Sequence, residues 1–145
     1  MDNKEVKTIL IDVDGVLTDG CLTIDHKGEK LFKRFHTRDV RAIRELVWNG
    51  FEVILVTADE WFGITHFADK VGADLDFVKD KSTLKYTNYY AIGDDAWDIP
   101  MLLKAKKAFC PVDADPGVLQ LPGIYVLPRA GGRGVVADFV RVILD

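Results

Sequence analysis

Two aspartates with a spacing suited to phosphoryl chemistry, Asp12 and Asp14, follow the apolar run 8–11 and precede Gly15. Such a run predicts a buried parallel strand that delivers both carboxylates to its C-terminal end. Open α/β sheets keep their active sites at that edge. Buried carboxylates are costly unless they are paired or bind a cation. Because side chains alternate along a strand, we expect both aspartates to reach one hard cation and one substrate phosphorus atom.

Three further polar clusters follow apolar runs, at residues 57–59 (TAD), 79–82 (KDKS) and 93–98 (GDDAWD). In a parallel sheet these strand ends share one edge with Asp12 and Asp14. Phosphoryl transfer needs a nucleophile, a proton donor, a cation and donors for the phosphoryl oxygens, and the four clusters supply each of them. The alternatives are that residues 12–15 form a loop-capping or calcium-binding turn, and that residues 93–98 form an acidic helix start.

Length and composition favour a small globular enzyme over several other classes. The chain has 145 residues, 48% of them hydrophobic and 29% charged, with a net charge of −4. We therefore expect one domain over residues 1–145 and no nucleic-acid partner. The polar N-terminus and the lack of a long apolar run predict a cytoplasmic protein without a membrane partner. Cys21 and Cys110 match no zinc or disulfide spacing, and we interpret both as reduced thiols.

Strand and helix patterns alternate along the chain, which predicts an α/β fold, a three-layer Rossmann-like parallel sheet with helices on both faces. Residues 21–25 and 29–35 predict a protruding β-hairpin that turns at 26–28. Asp39 is the expected N-cap of the following helix, which should stop at Asn49 and Gly50. The other expected strands are 51–56, 76–78, 89–92, 108–110 and 124–127, and the other expected helices are 60–70, 100–105, a short one after Asp115 and one at the C-terminus.

The sequence of residues 12–18, DVDGVLT, resembles the DxDGxxT/S motif of the haloacid-dehalogenase-like (HAD-like) phosphohydrolases. The resemblance implies that Asp12 is a nucleophile that becomes phosphorylated and that Asp14 is the general acid and base. Thr57 is similar to the Thr or Ser of the second motif, and residues 93–98 resemble the fourth motif, GDDxxD.

The same resemblance implies a metal site made of Asp12, Asp94 and the backbone carbonyl of Asp14, with Asp95 and Asp98 beside it. Oxygen ligands with no His or Cys nearby favour Mg²⁺. The lysine of the third motif is expected to be Lys81, with Lys79 and Lys85 as alternatives.

Nearly the whole chain resembles one capless subgroup, the phosphatases of 3-deoxy-D-manno-octulosonate 8-phosphate. The resemblance rests on residues 12–20, 28–31, 35–39, 93–98 and 130–134. It implies a phosphorylated keto-deoxy sugar acid as substrate and a homotetramer in which the hairpins of four subunits pack together and a neighbour closes each active site. It also implies that Arg38 and Arg133 lie near the substrate.

Three departures from the subgroup bear on the substrate. Ala58 and Asp59, followed by Glu60, replace the usual Gly-Arg after the motif-two threonine, and these carboxylates should repel an anionic sugar acid. Val40 replaces a usual glycine. Lys81 stands only 13 residues before Asp94, so the helix that usually separates them should be missing or collapsed.

The preferred interpretation is therefore a Mg²⁺-dependent phosphomonoesterase. The alternative is a catalytically diverged HAD-like domain that serves as an oligomerisation or partner-binding module, like domains fused to sialic acid cytidylyltransferases.

Overall fold

The computed structural model of the chain describes residues 6–61 and 63–145. The predicted polar N-terminus lies largely outside them, as does Phe62 of the predicted helix 60–70. The strands are β1 (Thr8–Asp12), β2 (Glu52–Thr57), β3 (Asp74–Phe77), β4 (Tyr89–Ile92), β5 (Lys107–Cys110) and β6 (Tyr125–Val126). They form one sheet in the order β3-β2-β1-β4-β5-β6, and every pairing in it is parallel. The predicted parallel sheet is confirmed.

Two apolar layers cover the sheet because successive side chains of each strand point to opposite faces. On β1, Ile9 and Ile11 belong to one core cluster and Leu10 belongs to the other. The helices are α1 (Thr37–Trp48), α2 (Gly63–Val71), α3 (Ile99–Lys104), α4 (Pro116–Leu119) and α5 (Val135–Leu144). The first cluster contains buried side chains of α1, α2 and α5, whereas the second contains those of α3 and α4. The sheet is thus the middle layer of three, as predicted.

Helix α1 begins three residues earlier than predicted, and Asp39 is not its N-cap. His36 is the N-cap, and its Nδ1 accepts a hydrogen bond of 3.1 Å from the Arg38 amide. Asp39 lies instead in the first turn, fully buried, where its Oδ1 accepts from the Ala137 amide at 2.9 Å. It links the starts of α1 and α5, a long-range contact that local sequence does not encode.

We expect Asp39→Asn to stabilise the protein at alkaline pH. Burial raises the pKa of Asp39 to about 7 from its usual 3.8, and its Oδ2 has no hydrogen-bond partner among the described residues. Between these two pH values the folded protein keeps a proton that the unfolded chain has released, so the free energy of unfolding falls as the pH rises. An asparagine at this position carries no charge and removes that loss. We therefore expect the free energy of unfolding of Asp39→Asn to exceed that of the wild type by about 2 kcal/mol at pH 8.

Urea denaturation at pH 8 and pH 5 checks this expectation, because the gain should shrink at the lower pH. Asp69→Asn, on the exposed surface of α2, is the matched control and should leave the free energy of unfolding unchanged at both. An equal gain for Asp39→Asn at the two pH values would show that its charge is not the cause.

The predicted hairpin forms only in part, and the two strands expected at 21–25 and 29–35 are not formed. One antiparallel bridge joins Ile24 to Lys30, and the Leu31 amide donates to the Thr23 carbonyl at 2.9 Å. Four large apolar side chains of the segment are about half exposed or more: Leu22, Ile24, Leu31 and Phe32. A two-stranded hairpin is marginal without a partner surface, and within one chain these side chains have little to pack against.

The shortening before the fourth strand appears as expected. Residues Lys81–Thr83 form a single 3₁₀ turn, and no longer helix lies between β3 and β4 in the described part of the chain. Both cysteines are free thiols, Cys21 exposed and Cys110 buried. Within the described part of the chain, no helix has the length and apolar character needed to cross a membrane.

Candidate active site

The C-terminal ends of β1, β2 and β4 meet around one cavity of about 330 Å³. The strands deliver their polar residues there because all three run in the same direction. The cavity is lined by Asp12, Asp14, Thr57, Ala58, Asp59, Val78, Lys79, Lys81, Asp95, Trp97 and Asp98. The structure thus brings together side chains from all four of the clusters singled out in the sequence.

Lys81 lies between two buried carboxylates. Its Nζ is 2.8 Å from Asp12 Oδ1 and also contacts Asp98 Oδ1. Burial by itself lowers the pKa of Lys81, but the charges of Asp12 and Asp98 outweigh it and the pKa is raised above its usual value. The lysine is therefore a permanent cation beside the carboxylate of Asp12.

Asp98 also fixes the loop that follows β4. Its Oδ2 accepts hydrogen bonds from the amides of Asp94 and Asp95, at 2.8 and 3.0 Å. Asp95 completes a capping box with Asp98 around the short turn Ala96–Asp98. The acidic motif thus holds its own backbone in place while it anchors Lys81.

Asp12, Asp94 and Asp98 form an acidic group whose ligand oxygens all lie within 4.8 Å of one another. Asp94 Oδ1 is buried and has no hydrogen-bond partner among the described residues. Burial raises the pKa of Asp94 to about 7, and burial together with the Asp98 charge raises the pKa of Asp12 well above its usual value. An oxygen-ligated divalent cation would satisfy the unpaired oxygen and reverse both shifts.

Gly15 makes this convergence possible. Its φ is +84°, and a Cβ there would lie 1.8 Å from Asp94 Oδ2. The loop 130–134 then packs on the same turn, since a Cβ on Gly131 would lie 1.8 Å from the Gly15 carbonyl oxygen and the Gly132 amide donates to the Val16 carbonyl at 2.9 Å. Gly15 and Gly131 therefore allow three segments to meet at the end of β1: the turn that follows β1, the loop that carries Asp94, and the loop 130–134.

Asp14 lies past the end of β1, in the turn Val13–Leu17, rather than in a continuing strand. Its carboxylate remains on the cavity wall, with 42% of the side chain exposed. The Thr18 hydroxyl donates to Asp14 Oδ1 at 3.2 Å. Lys33 Nζ donates to both carboxylate oxygens, at 2.9 and 2.8 Å.

Lys33 is the residue at the site that sequence reasoning missed. It comes from the partly formed hairpin, is only 8% exposed, and also pairs with Asp59 Oδ2 at 2.8 Å. Lys30 pairs with the other oxygen of Asp59 at 2.6 Å. Two features of the sequence could have indicated it. Asp59 stands where the subgroup usually has a cation, so a compensating cation is needed elsewhere. Lys30 and Lys33 are three residues apart in a segment that was expected to lie nearby.

These ion pairs correct the expected repulsion at Asp59. Burial would raise its pKa, but Lys30 and Lys33 outweigh that effect and the pKa is lowered. The carboxylate is therefore matched by two ammonium groups, and Glu60 is exposed and outside the cavity lining. An anionic substrate does not meet an uncompensated negative charge at this position.

The remaining sequence candidates separate into residues inside and outside the cavity. Thr57 ends β2, is buried, and accepts from the Asp59 amide at 3.1 Å. Lys79 lines the cavity, whereas Lys85 is exposed and absent from its walls. Arg133 lines a separate cavity of about 220 Å³ with Arg34 and His36. Arg38 lies at a third one, between α1 and α5. Within one chain neither arginine lines the cavity of Asp12, and their roles stay predictions.

The chain is similar to characterised bacterial proteins over nearly its whole length, although no protein-family model matches it. The 3-deoxy-D-manno-octulosonate 8-phosphate phosphatase KdsC of Escherichia coli K12 is 32% identical over 155 aligned positions, which span 97% of this chain and 80% of that protein. A solved hydrolase of HAD superfamily subfamily IIIA from Legionella pneumophila is 31% identical, with a TM-score of 0.86 and coverage of 97% and 83%.

A third relative is the cobalt-bound deoxy-D-mannose-octulosonate 8-phosphate phosphatase of Haemophilus influenzae. It is 28% identical, with a TM-score of 0.88 and coverage of 97% of this chain and 88% of that one. The sequence similarity to KdsC spans most of both proteins, and the fold agrees with solved members. The chain therefore belongs to the KdsC-type family of HAD-like phosphatases.

Proposed function

We propose that the protein is a Mg²⁺-dependent phosphomonoesterase that hydrolyses a phosphorylated keto-deoxy sugar acid through an aspartyl-phosphate intermediate. The observation that carries the proposal is the environment of Asp12. Its carboxylate is buried, contacts the cation of Lys81, and faces Asp94 and Asp98 across a gap suited to a metal ion. A nucleophile, a fixed positive charge and a candidate cation site thus lie within one cavity.

In the first half-reaction, an oxygen of Asp12 attacks phosphorus and the bond from phosphorus to the ester oxygen breaks. Asp14, in its protonated form, gives its proton to the departing alkoxide, so that a neutral alcohol leaves. Lys81, which contacts Asp12, and Thr57, which lines the cavity, stabilise negative charge on the phosphoryl oxygens.

In the second half-reaction, the Asp14 carboxylate takes a proton from water. The water oxygen attacks phosphorus, the bond from phosphorus to Asp12 breaks, and inorganic phosphate is released. Lys33 holds Asp14 through two hydrogen bonds, which restricts the movement of the carboxylate. Asp14 ends the cycle protonated, as it began.

The metal would be held by Asp12, Asp94 and the carbonyl of Asp14, with Asp98 as a further oxygen ligand or as the anchor of Lys81. The unpaired buried oxygen of Asp94 and the all-oxygen donor set fit Mg²⁺. A bound Mg²⁺ supplies positive charge that keeps Asp12 ionised and offsets charge on the phosphoryl group. The Haemophilus influenzae relative was solved with cobalt, another divalent cation.

We expect activity to require Mg²⁺ and to be inhibited by Ca²⁺, which favours a larger and looser coordination shell. Asp94→Ala should raise the Mg²⁺ concentration for half-maximal activity by about tenfold or more. Mg²⁺ titration of phosphate release measures this, and Asp69→Ala, exposed on α2 and outside the cavity lining, is a control. Full activity in excess chelator would contradict the metal assignment.

The substrate proposal rests on the relatives and on the corrected charge around Asp59. Two of the similar proteins, from Escherichia coli and Haemophilus influenzae, are named as octulosonate 8-phosphate phosphatases. The pairing of Asp59 with Lys30 and Lys33 removes the electrostatic objection to such an anion. Phosphate release from a panel of sugar phosphates, with and without Mg²⁺, tests the assignment. Hydrolysis of none of them would favour the diverged partner-binding module instead.

We also propose that the protein acts in the cytoplasm as a homotetramer joined through the segment 21–35. Leu22, Ile24, Leu31 and Phe32 are exposed there, and burial against other copies would offset the weakness of the hairpin, with closed symmetry as the usual result. Lys30 and Lys33 connect this segment to Asp59 and Asp14 at the catalytic cavity.

We expect a double variant, Leu31→Glu with Phe32→Glu, to lower both the assembly mass and the activity. Charges cannot be buried at such an interface without a large cost, and the hairpin that carries Lys33 would lose its support. Light scattering at micromolar concentration should give about four chains for the wild type. Trp48→Glu, at a more exposed apolar position on α1, is the control. A fully active wild-type monomer would refute the proposal.

A further inference from the structure

Trp97 is an exposed aromatic residue at the mouth of the catalytic cavity. Its side chain is 75% exposed, yet it lines the same cavity as Asp12, Asp14 and Lys81. Tryptophan is the largest side chain and gains the most from burial against another molecule. An exposed tryptophan on the wall of a polar reaction site indicates a contact with another molecule, because the free chain does not bury the ring.

The backbone that carries Trp97 is rigidly held. Its amide donates to Asp95 Oδ1 at 3.1 Å, and the next residue, Asp98, is fully buried and bonded to Lys81 and to the amides of Asp94 and Asp95. The ring therefore starts from a fixed point beside the reacting groups, and only its side-chain torsions remain free. A ring attached to a backbone that is fixed in this way is suited to hold a ligand in one orientation.

The walls of the cavity divide by polarity. Asp12, Asp14, Thr57 and Lys81 provide the charged and hydrogen-bonding groups that a phosphoryl group needs. Trp97 joins Val78 and Ala58 as the apolar lining residues of the same cavity, and none of these three offers a charge to a phosphate. The volume of about 330 Å³ is within the usual range for small-molecule sites, about 300–1,000 Å³, and exceeds what a phosphoryl group alone would fill.

We propose that Trp97 is a substrate-positioning residue, whose ring packs against the carbon skeleton of the phosphoester while the phosphoryl group lies on Asp12. The inference rests on the proposed phosphatase function and assigns a residue that recognises the alcohol part of the ester. It assigns the site to esters whose alcohol part is large enough to present a C–H face to the ring, such as sugar phosphates. Small, compact phosphate donors reach Asp12 without touching Trp97.

The test compares Trp97→Ala with the wild type on two substrates: 3-deoxy-D-manno-octulosonate 8-phosphate, or the sugar phosphate that the wild type hydrolyses fastest in the panel, and acetyl phosphate. An aromatic contact of ordinary strength predicts a KM about five- to tenfold higher for the sugar phosphate with kcat nearly unchanged. For acetyl phosphate neither constant should change. Trp97→Phe should recover part of the lost affinity, and Trp48→Ala, 90% exposed on α1, should match the wild type on both substrates.

A binding measurement separates positioning from a general structural effect. In the Asp12→Asn background, which should bind ester without turnover, the sugar phosphate is expected to change the intrinsic tryptophan fluorescence. Replacing Trp97 with Phe in that background should remove most of the change, although Trp48 and Trp61 remain.

Several results would overturn the inference. They are an unchanged KM for the sugar phosphate in Trp97→Ala, an equal loss on both substrates, or a lower assembly mass, which would place the ring at a contact between subunits. In each of these cases an active wild type leaves the phosphatase proposal standing. If the wild type hydrolyses no ester at all, the proposed function fails and this inference fails with it.

Discussion

Asp12→Asn is expected to abolish phosphatase turnover, with kcat lower by about 10⁴-fold or more. An amide oxygen is a poor nucleophile and cannot form the acyl phosphate that the proposed mechanism requires. Because Asn has nearly the shape of Asp and keeps an oxygen that can accept from Lys81, now 2.8 Å from Asp12 Oδ1, we expect the variant to fold normally. Loss of activity would then report on chemistry rather than on stability.

Phosphate release from the purified variant measures the effect, and circular dichroism confirms that it is folded. Acid quenching of wild-type turnover should trap phosphate on the protein, and none should be trapped on the variant. Asp69→Asn, on the exposed surface of α2, is the matched control and should keep full activity. Activity in Asp12→Asn without deamidation to Asp, as judged by mass spectrometry, would exclude Asp12 as the nucleophile.

Lys81→Met is expected to have the second largest effect, on both activity and stability. Removing the ammonium leaves Asp12 and Asp98 close together and buried without their shared cation. Breaking a buried ion pair on one side typically costs about 3–5 kcal/mol. We expect a loss of stability in that range in the absence of metal, and a fall in kcat/KM of at least about 10²-fold because the phosphoryl charge loses a fixed partner.

The two rival lysines are the natural controls for this variant. Lys85→Met should be silent because Lys85 is exposed and outside the cavity walls. Lys79→Met should leave stability unchanged and have a smaller effect on activity, since Lys79 lines the cavity but is exposed. Urea denaturation and steady-state kinetics measure the three variants together. If Lys79→Met were the more damaging variant, the third-motif role would belong to Lys79.

Much of the fold was predictable because its signals are local. The apolar runs of the strands, separated by helical patterns, are enough to predict a parallel sheet with both faces covered. The placement of Asp12 and Thr57 at strand ends follows from the direction of those strands. The stop of α1 at Asn49 and Gly50, where Gly50 has φ of +88°, and the start of α3 beside Pro100 are also properties of short segments.

The errors concern contacts between distant segments. Asp39 has the residue type of an N-cap, but the amide of Ala137 on α5 makes it a buried link between helices. Residues 21–35 have the sequence pattern of a hairpin, but only one bridge forms, because a single chain provides no surface against which the two strands could pack. In both cases the local sequence pattern does not decide the structure, because the contacts that matter are with residues far away in sequence or outside the chain.

By itself, the sequence determined the kind of chemistry, because a DxD pair at a strand end and an acidic GDDxxD cluster specify charges and ligand types. Only the tertiary structure decided how those charges are matched. It paired Lys81 with Asp12 and Asp98, brought Lys33 from the hairpin to Asp14 and Asp59, and placed Arg38 and Arg133 at other cavities. The physical reason is that the energy of a charge depends on its distance to other charges and on its burial, and both follow from chain folding rather than from residue order.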